Sequence, residues 1–93
     1  DDPRIVAINN LRVDVIPEGY KLLLPHEDRP GMIGQVGSLL GERDINIAGM
    51  QVGRDKPRGQ ALMVLSVDSL VPEPVMAEIV KIGGIKGCVQ VQL

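Results

Sequence analysis

Ninety-three residues suffice for one small domain, or for one domain carrying a short piece of another. Hydrophobic residues at 44% against 24% charged describe a chain that folds, while a net charge of −2 and a single aromatic ring, Tyr20, exclude a nucleic-acid binder built on basic patches and stacking. One Cys (Cys88) and one His (His26) exclude an internal disulfide and a zinc cluster, and no apolar run approaches the roughly 20 residues that span a bilayer.

The chain opens on Asp1 rather than Met, so it reads as an excised piece of a larger protein, and with no secretory leader ahead of its first strand a cytoplasmic setting is expected. Two β-rich runs, Ile5 to Ile8 and Leu11 to Ile16, flank the pair Asn9-Asn10 and predict a hairpin, because Asn tolerates the positive φ of such a turn. Val13 and Val15 alternate with Arg12 and Asp14, giving one dry and one wet face. Pro17, Glu18 and Gly19 break the pattern and mark a boundary. An isolated hairpin is marginally stable, so this one is expected to complete a sheet elsewhere.

Six elements follow. Tyr20 to Pro25 reads as a strand and His26 to Pro30 as a polar loop, with Pro30 in the first turn of a helix. Met32, Ile33, Val36, Leu39 and Leu40 repeat at helical spacing to about Glu42. Ile45 to Gly53 reads as a second strand whose apolar phase slips by one residue between Ile47 and Met50, which predicts a bulge near Ala48-Gly49. Arg54, Lys56 and Arg58 belong to a solvated hairpin loop.

Ala61 to Asp68 is a third strand, with Ala61, Met63, Leu65 and Val67 on one face and Leu62 and Val64 on the other. Pro72, Glu73 and Pro74 open a second helix with Val75, Ile79 and Ile82 buried, ended by Gly83-Gly84. Ile85, Val89, Val91 and Leu93 form the dry side of a last strand, with Cys88 as a small packed hydrophobe. The order β-α-β-β-α-β predicts an α+β, ferredoxin-like sandwich: a four-stranded antiparallel sheet with two helices on one face, preceded by a short β-hairpin. Leu23, Leu62 and Val64 then lie bare on the other face, and the second strand is an edge. Both features call for a partner surface, met by another copy pairing edge to edge.

Chemistry concentrates in His26-Glu27-Asp28-Arg29-Pro30-Gly31, at a helix N-terminus whose backbone N–H groups attract a carboxylate while an adjacent Asp can hold an ammonium. That combination suits a zwitterion such as an α-amino acid, against the simpler reading that Asp28 caps the helix. Gly31, Gly34, Gly37 and Gly41 form a stripe that implies either a close approach by another backbone or ligand, or tight packing on the sheet. Asn46 is an unusual polar residue for a strand and faces a ligand, a partner chain or solvent. Neither a phosphate-binding loop nor a dinucleotide fingerprint is present, and His26 has no nucleophile beside it, so no catalytic residue is assigned.

The runs "HEDRPGMIGQVGSLLGERDINIAGMQVGR", "GQALMVLSVD" and "GGIKGCVQVQL" resemble the ACT domains at the C-terminus of bacterial, long-form D-3-phosphoglycerate dehydrogenases. The resemblance covers residues 20–93 as a regulatory domain, and residues 1–19 resemble the last hairpin and hinge of an allosteric substrate-binding domain that precedes it. It implies a non-catalytic module that binds L-serine, or another small amino acid, where two such domains join into one sheet as a homodimer. Carried over residue by residue, it implies effector contacts at His26, Asp28, Arg29, Pro30, Gly31, Met32 and Ile33, with Asn46 reaching across from the partner subunit. Where the best-known serine-inhibited members carry Asn, this chain has Asp28, which can hold serine's ammonium but repels its carboxylate. The resemblance implies no cofactor here, NAD and the catalytic domains belonging to the parent enzyme. The same pair of domains occurs in iron–sulfur L-serine dehydratase, which remains the alternative parent, and a dimerisation domain without ligand remains open. Acylphosphatase-like, copper-chaperone and RNA-binding versions of this fold are disfavoured, because their glycine-and-glutamine loop, Cys-x-x-Cys motif and sheet aromatics are missing.

Overall fold

A computed structural model describes residues 4–8, 10–56 and 58–93. Strands β1 (Arg4–Ile8) and β2 (Leu11–Val15) pair antiparallel, Ile8 opposite Leu11 and Arg4 opposite Val15. Asn10 takes a φ of 68°, the left-handed conformation that this hairpin turn demands. Asn9, the other half of the expected turn, lies outside the described residues.

Strands β3 (Tyr20–Glu27), β4 (Ile47–Arg54), β5 (Gln60–Val67) and β6 (Val89–Gln92) form an antiparallel sheet in the order β4-β5-β3-β6. Helices α1 (Met32–Glu42) and α2 (Glu73–Ile79) share one face of it. There Met32, Val36, Leu40, Val75 and Ile79 pack on Leu22, Leu24, Met63, Leu65 and Val67. This is the α+β sandwich the alternation and helical periodicity call for. The expected bulge is present: Ile47 lies opposite Val67 and Gly49 opposite Ser66, so Ala48 has no partner on β5.

Several boundaries differ from the sequence reading. β3 continues through His26 and Glu27, because these residues still pair with Ala61 and Gln60. Pro30 precedes α1 rather than opening it: the helix starts after Gly31, whose φ of 87° is a turn that side chains disfavour. α2 stops at Ile79, and its C-terminal amides turn back early, Lys81 to Glu78 O and Ile82 to Ile79 O, although Ile82 still packs on the core. Ile85 forms only an isolated bridge to His26, and β6 begins at Val89.

The second sheet face is not bare. β2 lays Leu11, Val13 and Val15 on Leu23, Leu62 and Val64, leaving all six at most 6% exposed. Each such side chain contributes about 1.5–3 kcal/mol on burial, so the demand for a partner over this face is met within the chain. Val89 shares the face of its register partner Leu23 but lies beyond the cover of the hairpin and stays 48% exposed. The approach is closest at Gly53 of β4, where an added Cβ would stand 2.5 Å from the Arg12 carbonyl oxygen and 3.0 Å from Val13 Cγ2.

Gly53→Ala is therefore expected to lift the hairpin, at a cost of about 1–3 kcal/mol, seen as a lower Tm and faster amide exchange at Val13. Unchanged exchange would contradict this packing. Cys88 is half-buried against the helix-side core, and burial pushes its thiol up to about 11. Iodoacetamide at pH 8 is expected to modify it about 100-fold more slowly than an ordinary thiol, since the thiolate is the reactive form. A rate equal to that of a free thiol would show Cys88 in solvent.

Candidate functional site

The end of β3 carries the first candidate. His26 is 3% exposed, with Nδ1 2.7 Å from the Glu27 carbonyl oxygen. A carbonyl only accepts, so Nδ1 donates, and the neutral ring presents a lone pair at Nε2. That Nε2 is buried and has no hydrogen-bond partner among the described residues. Buried polar atoms are seldom left so, which makes this an acceptor lacking its donor.

Asp28 does not cap α1. Its Oδ2 accepts from Arg58 N and from Arg54 Nη1, both at 3.0 Å, and its own N–H donates to the Gly59 carbonyl at 2.9 Å. The Arg58 amide and then the Arg54 side chain hold the Asp28 carboxyl below its ordinary range. Arg54 and Arg58, expected in a solvated loop, thus meet the β3–α1 loop. With Asp28, Arg29 and Pro30 they line a hollow of about 280 Å³. Three guanidinium side chains against one carboxylate make its lining cationic.

Arg29 Nη2 donates to the Gly83 carbonyl, and its Nη1 lies 3.5 Å from Glu27 Oε2, so the loop is tied to the turn after α2. Among the described residues no side chain caps α1, and no acidic residue occupies its first turn, which leaves its N-terminal partial positive charge unanswered. Met32 is 2% exposed and its side chain belongs to the core, so only its backbone can face a ligand. Ile33 is exposed.

Asn46 lies just before β4, exposed, its Nδ2 donating to Asp68 Oδ2 at 2.9 Å. Arg54, which holds Asp28, ends the same eight-residue strand. At about 3.3 Å per residue the two ends stand more than ~20 Å apart. One copy therefore brings Asp28, Arg29 and Pro30 together around one hollow, with His26 buried at the end of β3 and Gly31, Met32 and Ile33 at the start of α1, and leaves Asn46 at the other end of β4.

The glycine stripe does not pack on the sheet: a Cβ at Gly34, Gly37 or Gly41 would meet nothing within 4 Å. Gly34 instead lines an open groove between the helices, bridged by Arg43, whose guanidinium binds Glu78 at 2.9 and 2.5 Å. That exposed pair raises Arg43 and lowers Glu78 in pKa. Among the described residues no group of His, Cys, Asp and Glu is arranged to hold a metal ion. Among the described residues, no helix is long and apolar enough to cross a membrane.

Comparison with known proteins agrees with this geometry. The model of the ACT domain family matches residues 22–84. D-3-phosphoglycerate dehydrogenase of Synechocystis sp. is 44% identical over 97% of the chain and 16% of its own length. The enzymes of that name from Methanocaldococcus jannaschii and Archaeoglobus fulgidus are 44% and 46% identical over 98% and 97% of the chain, covering 17% and 18% of their lengths. The chain thus spans under a fifth of the curated relatives it matches. With a βαββαβ sandwich whose match takes in most of the sheet and both helices, this chain belongs to the ACT domain family.

Proposed function

We propose that this chain is the regulatory, amino-acid-binding module of a D-3-phosphoglycerate dehydrogenase, holding L-serine where two copies meet along β4. The observation that carries the reading is the buried, unclaimed Nε2 of His26 at the end of β3, the strand whose loop leads into the uncapped start of α1. An ammonium or hydroxyl supplies the donor that this nitrogen lacks. The amides of the first turn of α1, with Arg54 and Arg58, suit a carboxylate. Asp28 is not a bare negative charge, since Arg54 and the Arg58 amide already engage one of its oxygens, and Oδ1 stays available to an ammonium. The repulsion expected from an Asp at this position is thereby reduced.

The second copy supplies what one copy cannot. β4 is an edge strand with Met50 42% and Val52 41% exposed. Antiparallel pairing of two β4 strands about Met50 sets position 46 of one beside position 54 of the other. Asn46 of the partner subunit then reaches the loop that carries His26 and Asp28. A ligand shared this way stabilises only the paired state, with a coupling energy of typically about 1–3 kcal/mol. Because Gly53 of β4 touches Arg12, the hairpin offers a route from the edge strand to the catalytic, NAD-dependent domains of the parent enzyme. The named relatives favour that parent over the iron–sulfur dehydratase. A cytoplasmic, biosynthetic setting goes with it.

Calorimetric titration with L-serine tests the site. The native chain is expected to bind one serine per copy, and His26→Ala and Asn46→Ala each to weaken binding at least tenfold, about 1.4 kcal/mol. Equal heats for all three, or no heat with the native chain, would overturn the assignment.

A further inference from the structure

A second polar group is buried on the opposite face of the sheet. Lys21 of β3 points to the hairpin side of the sheet, shares the phase of Leu23, and is 3% exposed. Its Nζ donates to the hydroxyl of Ser66, its register partner on β5, at 2.8 Å. Among the described residues no carboxylate oxygen comes within 4.0 Å of that ammonium. An ammonium has three protons to give and is costly to hold away from water with only a hydroxyl for company. Ser66, having accepted from Lys21, keeps its own proton free to donate.

The pair lines a cavity of about 460 Å³ between the linker after β2 and the edge strand β4. Val15, Val64 and Val67 give it buried apolar walls, and the unpaired bulge residue Ala48 borders it. Glu18 and Asp68 also line it, both exposed, and Asp68 is already engaged by Asn46. A pocket with apolar walls and two converging donors is built to orient a small anionic group. Carboxylates in the same lining disfavour a multiply charged anion such as phosphate.

We propose that this cavity is a ligand site separate from the helix-terminus loop, taking a small carboxylate on Lys21 Nζ and Ser66 Oγ. A ligand seated there touches β3, β5, the bulge of β4 and the linker at once, so it bears on how the hairpin is held. The site does not depend on serine binding at His26.

Sodium acetate, followed by backbone amide NMR shifts, is the probe. Saturable shifts are expected at Lys21, Ser66, Gly49 and Gly19. Acetamide, of the same shape but uncharged, is expected to give none. Lys21→Met is expected to abolish the shifts, while His26→Ala leaves them unchanged. Should Lys21→Met fail to fold, Ser66→Ala carries the same test, with saturation moved to at least fivefold higher acetate. Shifts that do not saturate, that acetamide reproduces, or that survive both substitutions would overturn the proposal and leave Lys21 and Ser66 as an internal strut only.

Discussion

A four-stranded sheet that is dry on both faces has only its edges left to offer. The helices cover one face, and the hairpin, through Leu11, Val13 and Val15, covers the β4–β5–β3 part of the other. Apolar burial of that kind is non-directional and scales with area, so it fixes the layers without choosing a partner. What remains unsatisfied is the outer ladder of the two edge strands, the short β6 and the eight-residue β4, which have no further neighbouring strand among the described residues. The hydrogen-bonding edge of β4, more than a greasy face, is the feature that the proposed pairing with a second copy would use.

The same strand organises the charges. Its C-terminal end brings Arg54 to Asp28, and Asn46 stands just before its N-terminal end. A single chain cannot fold these groups together, because an extended strand keeps its ends apart. The proposed two-fold pairing would do so, since an isologous contact places each end beside the other end of its mate. In the proposed dimer the histidine acceptor, the uncapped helix start and the carboxylate shared with arginine all belong to the one loop that Asn46 of the partner subunit would face. The chemistry that such an arrangement suits is the holding of a zwitterion.

Local order was legible in the sequence and long-range docking was not. Strict alternation in a strand made the slip between Ile47 and Met50 readable as a bulge at Ala48, and Asn10 announced its own positive φ. The phase of Ala61 to Val67 correctly separated the two faces of β5. Periodicity carries no record of which surfaces meet, however, so the fit of the hairpin on Leu23, Leu62 and Val64 stayed hidden and that face was read as bare. Arg54 and Arg58 were read as solvated for the same reason: their meeting with Asp28 depends on the β4–β5 turn folding over the loop. The burial of Lys21 left one usable trace, its phase with Leu23, which set it on the covered side. Whether Asp28 capped α1 depended on the backbone at Gly31, a detail that residue type alone does not settle.

Pairing about β4 is tested most directly by crosslinking. A Met50→Cys variant, with Cys88→Ser removing the other thiol, sets two sulfurs within disulfide reach when β4 strands pair antiparallel around that position. Mild oxidation is expected to yield a covalent dimer rapidly, faster still with L-serine, while a Leu70→Cys control, more exposed at 64%, lags far behind. A Met50→Cys variant that stays monomeric, or that crosslinks no faster than the control, would contradict the edge-to-edge arrangement and the shared site built on it.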